Sequence, residues 1–265
     1  MLGFAERLKG SLVRRLRRLR QSILVHPDAL YTLHEQEHLR RILQYLKVDC
    51  VFDVGANVGQ YALMLRKKAK FVGRIISFEP IPRLADELRQ VAHSDGLWDI
   101  QQIALASESE QCHFNVMAGD QFSSLCTPSV AETARFADRN IVKDRIVVQT
   151  ETLESAYTRL RNKYGFERPF LKMDTQGFDV RILQSGESIA SRFVGLQSEL
   201  SIKKIYKEAV DFREATQFYN RIGFELSAFI PNNSGHFPQL IETDCIMVRS
   251  DLMPHDSLVA RHKTS

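Results

Sequence analysis

The sequence predicts an α/β fold, a mostly parallel sheet with helices on both faces. Three observations predict it. From Cys50 onward, short apolar strands alternate with helical patterns. Several of those strands run into a glycine or a carboxylate: Val54 into Gly55, Phe78 into Glu79, Met173 into Asp174. The chain has 265 residues, 44% hydrophobic and 26% charged, enough for one domain with appendages or two small ones and too apolar for a disordered chain.

The elements follow in order. Residues 1–24 read as a basic amphipathic helix, with Ala5, Leu8, Leu12, Leu16, Leu19 and Ile23 on one face and arginines opposite. His26-Pro27-Asp28 breaks it, and a second helix buries Leu39, Ile42, Leu43 and Leu46. Residues 1–47 are therefore expected to form an N-terminal helical extension, 48–250 the main domain and 251–265 a tail. Val51–Val54 is the first strand, followed by a helix over 58–68. Arg74–Phe78 is the second, followed by a helix opened by Pro82, a residue suited to a first helical turn. Residues 99–104 read as the third strand, Phe170–Met173 as the fourth and Val194–Leu200 as the fifth. A helix through Phe218 and Tyr219 stops at Gly223, and Phe224–Ile230 and Ile241–Val248 close the sheet. Residues 107–150 interrupt the rhythm between the third and fourth strands. They hold two more strand patterns, Cys112–Met117 and Ile146–Val148, around a polar middle, as a lid or substrate region does.

Charge is unevenly placed. Residues 1–20 carry seven basic side chains and one acid, a balance of +6, while the other 245 residues hold 29 basic and 31 acidic groups, a balance of −2. A nucleic-acid-binding body is not expected, because the body is not basic. The basic helix fits either peripheral contact with an anionic membrane surface or docking on its own domain or a second subunit. Cys50, Cys112, Cys126 and Cys245 form no C-x-x-C pair, which argues against a zinc site or a disulfide framework and suits a cytoplasmic protein. No run of apolar residues is long enough to span a membrane, and no secretory signal follows the basic start.

In open α/β sheets, ligands bind beyond the carboxyl ends of the strands. The first strand ends in Asp53-Val-Gly55-Ala56-Asn57-Val-Gly59, and the second in Glu79-Pro80. A dinucleotide turn wants glycine two residues after Gly55, where Asn57 stands, so that fingerprint fails. An acidic turn of this kind suits a cofactor with no phosphate and a cationic amino-acid end, S-adenosylmethionine, with Glu79 placed to accept from a ribose diol.

These segments resemble the FkbM-type methyltransferase family. The carrying residues are Val51 to Tyr61, Ser77-Phe-Glu-Pro80, Ile103-Ala-Leu105, Leu171-Lys-Met-Asp-Thr-Gln-Gly177 with Asp179, Gln197-Ser-Glu-Leu200, Gly223-Phe224 and Asp244. Many relatives have Glu where Gln176 stands. The resemblance implies a class I methyltransferase Rossmann-like fold, a seven-stranded sheet with its last strand antiparallel, and methyl transfer to a hydroxyl of a sugar, glycan or glycolipid. It implies that Asp53, Gly55, Ala56, Asn57 and Gly59 serve the methionine end, that Glu79 and Pro80 serve the ribose, and that Ala104 and Leu105 border the adenine.

A sugar hydroxyl is a weak nucleophile and gains from a general base. Asp174 is the first candidate for that base, Glu199 the second, and Lys172, on the same strand face as Asp174, is a candidate modulator or substrate ligand. Each also has a plain structural reading, as a loop cap or a salt-bridge partner. Ser123, Ser124 and His236 are candidate substrate contacts, His113 a weaker one, and no metal is assigned. Two other functions remain beside this one: an NAD(P)-dependent oxidoreductase, and a catalytically inactive adaptor of a membrane-associated biosynthetic complex.

Overall fold

The computed structural model describes residues 30–117, 142–203, 209–232 and 238–254. The basic segment 1–24, Ser123, Ser124 and His236 lie outside the described residues, as does most of the polar middle of the 107–150 insertion. The order is α1 (Leu30–Tyr45), β1 (Cys50–Val54), α2 (Gln60–Lys67), β2 (Arg74–Phe78), α3 (Pro82–Ala92), β3 (Trp98–Gln101), β4 (Ala104–Leu105), β5 (Gln111–Met117) and β6 (Val142–Glu151). Then come α4 (Leu153–Tyr164), β7 (Pro169–Met173), α5 (Asp179–Gln184), β8 (Gly195–Ser201), α6 (Phe212–Arg221), β9 (Phe224–Asn232) and β10 (Glu242–Arg249), with short 3₁₀ turns at Glu187–Arg192 and Ser250–Leu252.

Seven strands form one sheet in the order β3-β2-β1-β7-β8-β10-β9. All neighbours run parallel except β10, which is antiparallel to both β8 and β9. This is the class I methyltransferase architecture. Every residue of β1 and β7 is buried, as central strands covered on both faces must be. On one face Phe52 meets Phe78, Phe166 and Phe193 at ring separations of 5.4–5.5 Å. On the other, Leu39 and Leu43 of α1 pack with Val51, Leu65, Ile75, Phe170 and Ile246. Helix α1 is thus part of the fold's layered core, although the sequence assigned it to an extension.

Three segments depart from the sequence reading. The expected third strand, 99–104, is two strands. β3 pairs with β2 only as far as Gln101, opposite Phe78, and Ala104 and Leu105 then pair parallel with Thr150 and Glu151 of β6. The chain leaves the main sheet there because Glu151 and Thr150 offer it a second ladder, the three-stranded sheet β4-β6-β5. Strand β6 is longer than expected, since it pairs with the whole of β5, from Gln111↔Gln149 to Met117↔Val142. Helix α4 occupies residues to which the sequence reading gave no element. It buries Leu153, Ala156, Tyr157 and Leu160, the Thr152 side chain accepts from Ser155 N–H at its start, and Gly165 at φ 71° ends it.

Candidate functional site

Strand order reverses between β1 and β7, and β1 lies between β2 and β7, so their carboxyl ends and following loops converge at the topological switch point. There a cleft of about 450 Å³ opens, lined by Gly55, Ala56 and Asn57 after β1, Glu79, Pro80 and Ile81 after β2, and Asp174, Thr175 and Gln176 after β7. Ile103, Ala104, Leu105 and Phe114 form its apolar end, and Glu35, Gln197 and Asp244 its opposite, polar end.

The turn after β1 is set by contact with the turn after β7. Gly55 has φ 76°, and a Cβ there would lie 2.0 Å from the Asp174 carbonyl oxygen. Asn57 also takes a left-handed conformation, φ 49°, which Asn tolerates, and its side-chain oxygen accepts from Val58 N–H at 2.8 Å. This shape aims the Asn57 N–H at Glu79 Oε2, 2.9 Å away, while Ile81 N–H donates to Oε1 at 2.9 Å. Burial pushes the Glu79 pKa up to about 7 against those two hydrogen bonds.

Beneath the cleft a polar row crosses the sheet. Ser77, Asp53, Lys172 and Gln197 are successive register partners on β2, β1, β7 and β8. Ser77 Oγ–H donates to Asp53 Oδ2 at 3.0 Å and itself accepts from Trp98 Nε1–H. Asp53 Oδ1 has no hydrogen bond; its counter-charge is the Lys172 ammonium at 3.1 Å. That ammonium also donates to the Val54 and Gly55 carbonyls and lies 3.8 Å from Asp174 Oδ2. Burial alone would lower the Lys172 pKa, but Asp53 and Asp174 hold it above its ordinary value.

Asp174 is the most open of these groups, its side chain 45% exposed into the cleft. Gln176, at φ 56°, donates from Nε2 to Asp174 Oδ1 at 3.2 Å and to Glu199 Oε2 at 2.9 Å, tying the two candidate bases together. Asp179 is buried below them. Its oxygens accept from Thr175 N–H (3.0 Å), Ser198 Oγ–H (2.8 Å) and Glu199 N–H (3.1 Å), which anchors the β7 loop to β8. Burial and the neighbouring carboxylates raise the pKa of Glu199 well above the usual carboxylate range.

Residues 53–226 match the methyltransferase FkbM domain. The chain belongs to the FkbM methyltransferase family. Among solved structures it is similar to methyltransferase FkbM from Methylobacillus flagellatus, with 13% identity and a TM-score of 0.46 over 76% of this chain and 43% of that one. It is also similar to fibrillarin of Aeropyrum pernix, solved with natively bound S-adenosyl-L-methionine, with 11% identity and a TM-score of 0.42 over 76% and 66% of the two chains. A third is the 1,6-didemethyltoxoflavin-N1-methyltransferase of Burkholderia thailandensis, with 9% identity and a TM-score of 0.44 over 94% and 89%. This chain therefore spans less than half the length of the first of these. No curated protein matches its sequence.

S-adenosylmethionine is the cofactor of FkbM methyltransferases, and the residues fit it. Each Glu79 oxygen carries one backbone N–H, which leaves an acceptor position on each for a ribose hydroxyl. Beyond them Ala104, Leu105, Ile103 and Phe114 offer an apolar slot of adenine-like character. Of the residues expected to serve this cofactor, Gly55, Ala56, Asn57, Glu79, Pro80, Ala104 and Leu105 line the cleft. Two do not. Asp53 is wholly buried under it and holds Lys172, and Gly59, at φ 87°, turns its Cα toward Leu88 and Trp98, where a Cβ would come within 2.6 Å of Leu88. Among the candidate catalytic residues, Lys172 and Asp174 line the cleft and Glu199 lies behind Gln176. Sequence reasoning missed Glu35 altogether; a glutamate on an amphipathic helix carries no signal that it faces a ligand. Gln197 entered as a point of resemblance, and Asp244 as another and as a metal ligand considered with Asp174 and Glu199 and not assigned; Gln197 is the third residue of β8 and Asp244 the third of antiparallel β10.

Proposed function

We propose that this protein transfers the methyl group of S-adenosylmethionine to a hydroxyl of a sugar, glycan or glycolipid. One observation carries the proposal: the Asp174 carboxylate opens into the same cleft as Glu79, and among the described residues Oδ2 carries only a distant ion pair to Lys172. The bound cofactor supplies an electrophilic methyl group. Glu79 and the apolar slot orient that cofactor, and Asp174 accepts the hydroxyl proton as the oxygen attacks. Gln176 holds Oδ1 and so turns Oδ2 toward the acceptor. Lys172 keeps this carboxylate company without competing for the acceptor, because Asp53 holds it.

Calorimetry with S-adenosylmethionine, S-adenosylhomocysteine and NAD tests the cofactor, and absence of heat with both sulfur compounds refutes the reading. Label transfer to a panel of free sugars, amino sugars, nucleotide sugars and lipid-linked glycans tests the acceptor. Asp174→Asn should keep S-adenosylhomocysteine affinity within about two-fold and lower turnover about a hundred-fold or more; full activity removes Asp174 from the mechanism. A cytoplasmic location belongs to the same proposal, with the basic segment 1–24 mediating peripheral membrane contact or self-association. Among the described residues no helix is long and apolar enough to cross a membrane.

A further inference from the structure

The polar end of the cleft narrows the acceptor class, and this inference rests on the methyltransferase reading above. Three elements meet there: α1 brings Glu35, β8 brings Gln197 and β10 brings Asp244. Neither Glu35 nor Asp244 lies within residues 53–226, so this end is built partly by chain outside the matched domain.

Hydrogen-bond direction says what this end lacks. Gln197 Nε2 donates to Glu35 Oε1 at 2.8 Å and to Asp244 Oδ2 at 3.3 Å, which uses both amide hydrogens. Its Oε1 accepts from the Tyr61 hydroxyl at 2.9 Å, which uses that proton too. The network is therefore spent as a donor. It ends in two carboxylates, each with a second oxygen for which no partner is recorded among the described residues. Thr32 and Gln36 of α1 also line the cleft beside Glu35, but a ligand group that bonds the open oxygens of Glu35 and Asp244 must itself bring donors.

Charge points the same way. Lys172 is the one cation lining the cleft among the described residues, and Asp53 already neutralises it. Asp174, Glu35 and Asp244 face the same space. Burial raises the pKa of Glu35 and Asp244, Asp174 raises both further, and Glu35 raises that of Asp244, so a cation placed between them would favour their ionised forms. No group of His, Cys, Asp or Glu side chains among the described residues is arranged to hold a metal ion that would supply it.

We infer that the acceptor is an amino-bearing hydroxyl compound, an amino sugar or related amino alcohol, whose ammonium group is held between Glu35 and Asp244. Phosphorylated and carboxylated acceptors bring acceptors and negative charge to a site that already holds both, and are expected not to bind.

The test uses the full-length protein saturated with S-adenosylhomocysteine and three probes of matched size: glucosamine, glucose and glucose 1-phosphate. Binding is followed by calorimetry. Glucosamine should bind about ten-fold or more tighter than glucose, the value of one charge-assisted hydrogen bond, and glucose 1-phosphate should not bind. In Glu35→Gln the preference for glucosamine should fall to about two-fold, with S-adenosylhomocysteine affinity showing that the variant is folded. Equal binding of glucosamine and glucose, binding of the phosphate, or no binding of glucosamine at millimolar concentration overturns the inference. So does a Glu35→Gln variant that loses S-adenosylhomocysteine affinity instead, because the carboxylates would then hold the cofactor's own ammonium group. Those outcomes leave the methyltransferase reading standing, whereas absence of heat with S-adenosylhomocysteine itself removes both.

Discussion

Glu79→Gln should turn a pH-dependent cofactor site into a weak one with little pH dependence. Glu79 is 4% exposed, and each of its oxygens already accepts one backbone N–H at 2.9 Å. Only the ionised carboxylate offers a free acceptor position on both oxygens to a ribose diol. Burial sets its pKa at about 7, so the ionised fraction is about nine-tenths at pH 8, a half at pH 7 and a tenth at pH 6. Apparent affinity scales with the competent fraction, and S-adenosylhomocysteine binding should weaken about five-fold from pH 7 to pH 6. Binding at pH 7 should also release about half a proton, as the bound form becomes fully ionised. Glutamine keeps one acceptor oxygen and sets its NH₂ against a backbone N–H that also donates. The lost backbone bond weakens free and bound protein alike, so affinity at pH 8 falls by the one ribose bond, about 2 kcal/mol or roughly thirty-fold. Calorimetry from pH 6 to pH 8, in buffers of different ionisation enthalpy, reads both affinity and proton release. Wild-type affinity that does not change with pH, or a Glu79→Gln variant with an unchanged slope, refutes the reasoning.

Three further outcomes are expected. Gly55→Ala forces a Cβ to within 2.0 Å of the Asp174 carbonyl at φ 76°, and should cost about 3 kcal/mol or more of stability; a urea midpoint equal to wild type would show that the two turns are not in contact. Glu79 and Glu242, both pushed by burial to about 7 from 4.5, bind protons in the fold that the unfolded chain gives up. The stability this provides is complete below about pH 4.5 and is lost as pH rises through 7, by about 3 kcal/mol for Glu79. The cofactor-free protein should therefore show a lower urea midpoint at pH 8 than at pH 6, and the reverse order would contradict the burial argument. Deleting residues 1–24 should spare S-adenosylhomocysteine affinity and change either sedimentation with anionic vesicles or oligomeric state; loss of cofactor affinity would place that segment in the site.

Much of the cofactor half was legible in the sequence because parallel strands deliver their carboxyl ends to one place. Gly55, Glu79 and Asp174 each follow an apolar strand, and that alone predicts their meeting. Gly59 shows the limit. It shares a motif with Gly55, but its missing side chain makes room for Leu88 and Trp98 rather than for a ligand. Asp53 shows another, since its role follows from the Asp53↔Lys172 register across β1 and β7, which no local pattern encodes. The split of the expected third strand is of the same kind. Ala104 and Leu105 look like a continuation of β3 until β6 pairs with them.

Local sequence carries the class of fold, the strand-end residues that line the cleft, and the placement of excess positive charge in the first 20 residues. These follow from periodicity, turn chemistry and composition, which are properties of short stretches of chain. Tertiary structure alone decided that α1 closes the cleft with Glu35, that Gln197 spends its donors on Glu35 and Asp244, and that Gln176 binds Asp174 to Glu199. Those contacts join segments far apart in sequence. Their geometry is set by how the helices pack on the sheet and in what register its strands pair, so the polar end of the cleft exists only once the whole layer is assembled.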